Sequence, residues 1–158
     1  MKKKIFNQQK MIIGMLHVPA LPGTPRHSAS IDRIIEISLE EANIYEKSGI
    51  DSMIIENMHD VPYLNKNVGP EITASMTAIA CEIKRHLQIP IGIQILAGAN
   101  KQALAVAKAA GLDFIRTEGF LYSHIADEGL MNADAGELLR YRKQIEAENI
   151  FILTDIKK

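Results

Sequence analysis

Polar and charged residues follow the apolar runs of this chain at several points. The residues that stand where an apolar run ends are His17, Glu56, Asn57, Gln94, Arg116, Glu118, Asp155 and Lys157. A carboxyl group that emerges from a buried segment has a raised pKa, which suits it to proton transfer. Histidine titrates near neutral pH, and arginine binds carboxylates or phosphates through paired hydrogen bonds. These residue types together predict acid/base chemistry on a small polar molecule.

We expect two kinds of role among these residues. The candidate catalytic residues are Glu56, Asp155, Lys157 and His17, and the candidate substrate-binding residues are Asn57, Gln94, Arg116 and Glu118. Structural alternatives stay open for most of them. Glu56 and Asp155 are alternative ion-pair partners for Arg116, and His17 could simply pack at a rim. Gln94 needs hydrogen-bond partners in its apolar run, and a ligand or a neighbouring strand would serve equally.

We expect no metal and no other cofactor. A metal site built from His17, Glu56 and Asp155 is conceivable, but the chain has no close ligand spacing such as His-x-x-x-His. It also has no Gly-x-Gly-x-x-Gly motif after its first apolar run and no Gly-Lys-Ser/Thr motif. Lys157 could form a Schiff base with a carbonyl substrate, although a single lysine there is more often an ion-pair partner.

The elements that must position these residues alternate between strands and helices. Apolar periodicity predicts strands at 11–18, 52–57, 91–96, 114–117 and 150–156, and helices that begin at or just after Ser30, Gly69, Asn100 and Asp134. The expected helix-end residues are Ser30, Asn100 and Asp134 as N-terminal caps, Pro70 as the first residue of the second helix and Gly111 as the end of the third. Such alternation indicates a parallel sheet. The loops after the first, second and fourth strands are long, and the segment 118–133 is predicted to be irregular. Long loops on one side of a parallel sheet are where sites form.

Periodicity alone does not separate a (β/α)8 barrel from a doubly wound open sheet of the flavodoxin type. A complete barrel needs roughly 250 residues, and this chain has 158. In the barrel interpretation, residues 1–158 form a single domain that is truncated after about five β-α units. Asp155 and Lys157 then lie on one face of the fifth strand, because side chains alternate along a strand.

Composition narrows the function classes. The net charge of −1 gives no electrostatic reason to bind nucleic acid. No apolar run approaches the roughly 18 residues of a transmembrane segment. The single cysteine, Cys81, excludes a disulfide framework and favours a reducing compartment. We therefore expect a cytoplasmic protein with a small-molecule ligand.

Several segments resemble the motifs of the BtpA/SgcQ family, in the same order along the chain. They are Gly14-Met-Leu-His-Val-Pro-Ala-Leu-Pro-Gly-Thr-Pro25, Ile55-Glu-Asn-Met-His-Asp-Val-Pro-Tyr63, Ile91-Gly-Ile-Gln-Ile-Leu96, the run from Ala103 to Arg116, and Asp155-Ile-Lys157. The resemblance implies a (β/α)8 barrel that resembles the ribulose-phosphate-binding barrels. This chain departs from the family at Gln94, where asparagine is usual. It also stops before the family's last three β-α units, where a barrel phosphate site typically lies.

The resemblance implies function only in outline. The family is named for a role in photosystem I biogenesis, but other members occur in non-photosynthetic organisms, some beside sugar-transport genes. We therefore expect a metabolic enzyme, or an enzyme-like protein, that acts by acid/base chemistry on a small polar metabolite such as a sugar or a sugar phosphate. The alternatives are a non-catalytic assembly factor for a membrane complex and an inactive truncated product. A truncated barrel has two open sheet edges, so a homo-oligomer that covers them is also expected.

Overall fold

The computed structural model describes residues 10–155, which alternate between strands and helices. In chain order the elements are β1 (Ile13–His17), α1 (Ile31–Lys47), β2 (Ser52–Glu56), α2 (Pro70–His86), β3 (Ile91–Gln94), α3 (Asn100–Ala110), β4 (Phe114–Thr117), β5 (His124–Ala126), β6 (Gly129–Met131), α4 (Ala135–Gln144) and β7 (Phe151–Thr154). Among these residues, no helix has both the length and the apolar character needed to cross a membrane.

The main sheet has five parallel strands in the order β1-β2-β3-β4-β7. This order follows the chain without a reversal, and consecutive helices pack on one another. A doubly wound sheet would instead reverse its strand order at a switch point. The predicted α/β fold is confirmed, and its sequential strand order is consistent with consecutive units of a β/α barrel.

The two faces of the sheet carry different residues. Alternate side chains of every strand point toward the helices and form the aliphatic core, as Leu16, Ile55, Ile93 and Ile115 do. Residues between them point to the opposite face, which the helices do not cover. The charged residues at the ends of the strands all lie on this second face, so the side-chain alternation of each strand decides which residues meet there.

Gly92 and Phe114 fill the floor of the second face together. The two residues are hydrogen-bonding neighbours on β3 and β4, and Phe114 is fully buried. A Cβ atom at position 92 would overlap the Phe114 ring. Glycine is therefore required there by the ring that lies over it.

Three predicted helix boundaries are confirmed. The side chain of Ser30 accepts a hydrogen bond from the backbone N–H of Arg33 and caps α1. Pro70 is the first residue of α2, where its missing N–H costs nothing. Gly111 ends α3 in the left-handed conformation that favours glycine.

Three details of the prediction are wrong. Asn100 and Asp134 were expected to cap α3 and α4, but neither side chain caps its helix. The Nδ2 atom of Asn100 instead donates to the Asp134 carboxylate, at 3.1 Å to each oxygen, and both residues are used in tertiary contacts. The segment 118–133, predicted to be irregular, contains an antiparallel hairpin of β5 and β6. Its strands have three residues each, too few to show a period in the sequence.

Candidate functional site

Three polar residues lie side by side at the ends of neighbouring strands, on the face of the sheet that the helices do not cover. The strand register pairs His17 with Glu56 and Glu56 with Gln94, so the last residues of β1, β2 and β3 lie side by side. Glu56 and Gln94 are buried, whereas the side chain of His17 is 42% exposed. The Nε2 atom of His17 lies 3.4 Å from Glu56 Oε2. A titratable histidine thus stands between a buried carboxylate and solvent.

Arg116 on β4 connects the other members of this face. Its Nη1 donates to Gln94 Oε1 at 2.9 Å and lies 3.9 Å from Glu56 Oε1. Its Nη2 donates to Asp155 Oδ1 at 3.1 Å. The guanidinium group is one-third exposed. Four strands and the residue after β7 therefore contribute to one cluster of hydrogen bonds and ion pairs, which we call the strand-end cluster: His17, Glu56, Gln94, Arg116 and Asp155.

Asn57 lies next to this cluster in sequence but has a different environment. Its side chain is buried, its Nδ2 donates to Asp60 Oδ2 at 2.7 Å, and its Oδ1 accepts from the backbone N–H of Leu96 at 2.8 Å. Asp60 Oδ1 in turn accepts from the backbone N–H of Leu21 at 2.8 Å. The amide of Asn57 thus connects the loop after β2 to the loop after β3, and Asp60 connects them to the loop after β1. Both the nitrogen and the oxygen of this amide have protein partners.

Asp60 is a buried carboxyl group that the sequence did not distinguish from a turn residue. Burial raises its pKa from the ordinary value, while the hydrogen bonds from Leu21 and Asn57 oppose that rise. Its two oxygens accept these two bonds, so Asp60 fixes the loop after β1 to the loop after β2.

Glu118 directly follows β4 and lies near the hairpin of β5 and β6. It is buried, its backbone N–H donates to Asn100 Oδ1 at 3.2 Å, and its carbonyl accepts from Asn100 Nδ2 at 2.8 Å. Its Oε1 atom lies 3.4 Å from Nε2 of His124 on β5. A second pairing of a carboxylate with a histidine is therefore present, and sequence reasoning missed His124 because the hairpin was not predicted.

A cavity of about 600 Å³ joins the two groups of residues. It is lined by Glu56, Met58, Tyr63, Gln94, Leu96, Ala97, Arg116, Glu118, His124, Ile125, Ala126, Asp127 and Glu128. This volume lies within the range of small-molecule sites. Glu56, Gln94, Arg116 and Glu118 all line it. Four carboxylates line the cavity, and Arg116 is the one arginine or lysine among these lining residues.

The hairpin forms one wall of this cavity and is fastened by the loop after β2. Asn65 Nδ2 donates to the carbonyls of Glu128 and Leu130, at 3.2 and 3.0 Å. Lys66 Nζ donates to the carbonyl of Asn132 and to Asp134 Oδ2. The β2 loop therefore holds the cavity wall in place from outside.

Lys157, the remaining candidate, lies outside the described residues. Within residues 10–155 no three histidine, cysteine, aspartate or glutamate side chains are arranged to hold a metal ion. The chemistry that the described residues offer is proton transfer by Glu56, His17, Glu118 and His124, with Arg116 as a hydrogen-bond donor.

Comparison with known proteins places these residues in a family. The model of the BtpA family matches residues 8–158. The chain is 50% identical over 161 residues to the uncharacterized mitochondrial protein F13E9.13 of Caenorhabditis elegans, with 98% of this chain and 58% of that protein covered. It is 38% identical over 148 residues to an uncharacterized protein of Archaeoglobus fulgidus, with 94% and 59% covered.

A third relative has a functional name. The chain is 32% identical over 151 residues to the photosystem I biogenesis protein BtpA of Synechocystis, with 96% of this chain and 52% of that protein covered. The chain spans just over half the length of these relatives. The family match over nearly the whole chain agrees with the motifs found in the sequence, and this chain belongs to the BtpA family.

Proposed function

We propose that this chain forms the acid/base half of a metabolic enzyme that acts on a small polar, sugar-like molecule. The observation that carries the proposal is the convergence of Glu56, Gln94 and Arg116 on a cavity of about 600 Å³, with His17 and Asp155 paired to them from the neighbouring strands. Polar side chains from several strands, buried and hydrogen-bonded beside a cavity of ligand size, are typical of active sites in parallel α/β proteins.

Glu56 is the proposed proton-transfer group. It is buried at the cavity wall, and His17 beside it has one side in solvent. A proton taken from the substrate by Glu56 could pass to His17 and then to water. Arg116 and Gln94 would hydrogen-bond a substrate oxygen from the neighbouring strands.

The charges around the cavity support a hydroxyl-bearing ligand here. Glu56, Glu118, Asp127 and Glu128 face one arginine, Arg116, and that arginine already donates to Asp155. Carboxylates accept hydrogen bonds from hydroxyl groups and repel a phosphate. In a phosphorylated sugar, the uncharged end would therefore occupy this cavity and the phosphate would lie elsewhere.

Binding and chemistry can be tested separately. Neutral polyols, aldoses and their phosphates would be screened by thermal shift against the chain, Glu56→Gln and the exposed control Glu148→Gln. Incubation with each binder in D2O, followed by ¹H NMR, would detect exchange of a carbon-bound proton. We expect a ligand that raises Tm and exchanges only when Glu56 is intact. If no compound raises Tm, or if Glu56→Gln exchanges as fast as the wild type, the proposal is wrong.

The same screen applies to longer forms of the protein. Because the chain spans just over half of its relatives, the activity of the whole protein is part of the proposal. In that larger site Asp155 and Lys157 keep their proposed catalytic roles. The variant Asp155→Asn tests the role of Asp155.

A second candidate function is an assembly factor for a membrane complex. It is favoured by the name of the Synechocystis relative and by apolar side chains that the hairpin region exposes, namely Leu121, Tyr122, Ile125 and Leu130. Exposed apolar patches mark interaction sites. Flotation with cell membranes would test it, since Leu121→Ser with Ile125→Ser should abolish association if this surface binds a membrane protein.

Oligomeric state and location complete the proposal. Among the described strands, β1 and β7 each have one hydrogen-bonded neighbour in the main sheet, and such edges favour pairing with a second copy. Light scattering after size exclusion would show a dimer or larger species. We propose a cytoplasmic location. The C. elegans relative is named mitochondrial, so fractionation of cells should examine both compartments.

A further inference from the structure

A second cavity lies between the loops after β1 and β2, apart from the strand-end cluster. Its volume is about 270 Å³, and it is lined by Gly23, Thr24, Pro25, Asn57, Asp60, Pro62, Leu64, Val68, Glu71, Ile72 and Leu96. This is slightly below the usual range for drug-sized ligands, so it fits a molecule of fragment size. Leu96 lines both cavities and forms the partition between them.

The walls of this cavity are apolar and its charges are all negative. Prolines, leucines, Val68 and Ile72 supply most of the lining, while Asp60 and Glu71 are the two ionisable residues. No lysine, arginine or histidine is among these lining residues. An apolar ligand would fill the walls, and a positive charge on it would balance a carboxylate.

Two glycines lie against the side chain of Glu71. A Cβ atom at Gly69 would overlap the carboxylate, and one at Gly23 would come within 2.8 Å of the Glu71 side chain. Gly23 also has φ +90, a left-handed conformation that favours glycine. Gly23 therefore brings the loop after β1 close to the Glu71 side chain.

Asp60 does not compete for the same role. Its oxygens accept hydrogen bonds from Leu21 and Asn57, which fixes it as part of the wall. Glu71, by contrast, is exposed to solvent. The two carboxylates thus differ in environment, since Asp60 is buried and used in the wall while Glu71 is accessible at it.

We propose that this cavity binds a small aliphatic amine, with its ammonium group on Glu71 and its apolar body against Leu64, Val68, Ile72 and Leu96. The site is independent of the proposed reaction in the larger cavity. An amine bound here would contact Leu96 and could report on, or modulate, the occupancy of the neighbouring site.

The probe is isopentylamine, compared with two molecules of similar shape, the neutral isopentanol and the anionic isovalerate. Methyl resonances of ¹³C-labelled Ile, Leu and Val side chains would be followed during titration of the intact chain. We expect saturable shifts at Leu64, Val68 and Ile72, with the methyls of Ile125 in the larger cavity unchanged. Isopentanol should bind at least about fivefold more weakly, and isovalerate should not bind.

Glu71→Gln removes the charge and keeps the shape, so it should lower the affinity for isopentylamine to that for isopentanol. Its matched control is Glu137→Gln, which also removes a carboxylate from the first turn of a helix but lies outside the cavity. Equal affinity in Glu71→Gln and the wild type, binding of isovalerate as tight as that of the amine, or shifts confined to Ile125 would each overturn the proposal. A failed acid/base screen in the larger cavity would leave this result unaffected.

Discussion

Arg116 Nη2 donates to Asp155 Oδ1 across 3.1 Å, and this bond links β4 to the residue that follows β7. The same guanidinium group reaches Gln94 and Glu56 on the other side. One arginine therefore lies between two carboxylates and donates to the side-chain carbonyl of one amide.

Replacement of Arg116 by Met should lower the free energy of unfolding by about 1–3 kcal/mol, because it leaves Glu56 and Asp155 without the cation that they share. The partial exposure of the guanidinium group places the effect toward the lower end. Urea denaturation would measure it. The control Arg140→Met removes an arginine whose Nη1 donates to a carbonyl on an exposed helix, and it should change stability by less than about 0.5 kcal/mol. Equal losses in both variants would contradict this role for Arg116.

Asn57→Leu should be among the more harmful single substitutions in the chain. It would leave Asp60 without the hydrogen bond at 2.7 Å and the N–H of Leu96 without its acceptor. Buried groups that lose their partners cost about 1–3 kcal/mol each, so we expect about 2–6 kcal/mol in total. Asn43→Leu is the control, since the Asn43 side chain bonds a carbonyl of its own helix. A loss in Asn57→Leu no larger than in the control would show that the amide is dispensable.

The stability of the protein should depend on the titration of Asp60. Because burial raises the pKa of Asp60 above its ordinary value of 3.8, the folded state binds this proton more tightly than the unfolded chain. The contribution of Asp60 is therefore fully present below about pH 3.8 and is lost as pH rises through the folded pKa. Compared with Asp60→Asn, the wild type should lose relative stability over that interval, as measured by urea denaturation at several pH values.

Glu137 supplies a test of the opposite sign. Lys101 lowers the pKa of Glu137, so its contribution appears as pH rises through the folded pKa and is complete above the ordinary value. Glu137 is exposed, and screening by solvent keeps the effect small. The wild type should therefore gain relative stability over Glu137→Gln as pH rises. If the relative stability of the wild type changed with pH in the same direction in the Asp60 and the Glu137 comparisons, the opposite pKa directions assigned to these two groups would be refuted.

Asn65→Ala should loosen the hairpin without unfolding the sheet. It removes two hydrogen bonds from the loop after β2 to the carbonyls of Glu128 and Leu130. At about 1 kcal/mol per bond, local opening of residues 124–131 should become roughly fivefold to thirtyfold more frequent. Hydrogen–deuterium exchange would measure it, with the amides of α1 as the internal reference. Unchanged exchange in the hairpin would show that other contacts hold it.

Gly92→Ala should destabilise the sheet because its new methyl group would overlap the ring of Phe114. Overpacking of this kind costs typically about 1–3 kcal/mol. Gly136→Ala is the matched substitution in α4, where the nearest atom to the new Cβ belongs to the flexible side chain of Arg140. It should stabilise the helix by about 0.5–1 kcal/mol. Thermal denaturation should therefore give shifts of opposite sign.

Periodicity predicted the parallel strands and most helix ends, because these depend on near neighbours in the chain. Ser30 caps α1 through Arg33, three residues away, and Gly111 ends α3 by its own conformation. The same local logic failed at Asn100 and Asp134, since the partners that these side chains prefer lie far along the chain. Local patterns contain no information about such partners.

The candidate site divides in the same way. The sequence by itself determined that acidic, basic and amide side chains stand at the ends of the strands. The alternation of side chains along each strand then places them on one face of the sheet. Only the tertiary structure decided their roles: the strand register brought Glu56 beside His17 and Gln94, Asn57 became a connection between loops, and the hairpin brought His124 to Glu118. These pairings depend on distances between residues far apart in the chain, and only the folding of the loops onto the sheet sets those distances.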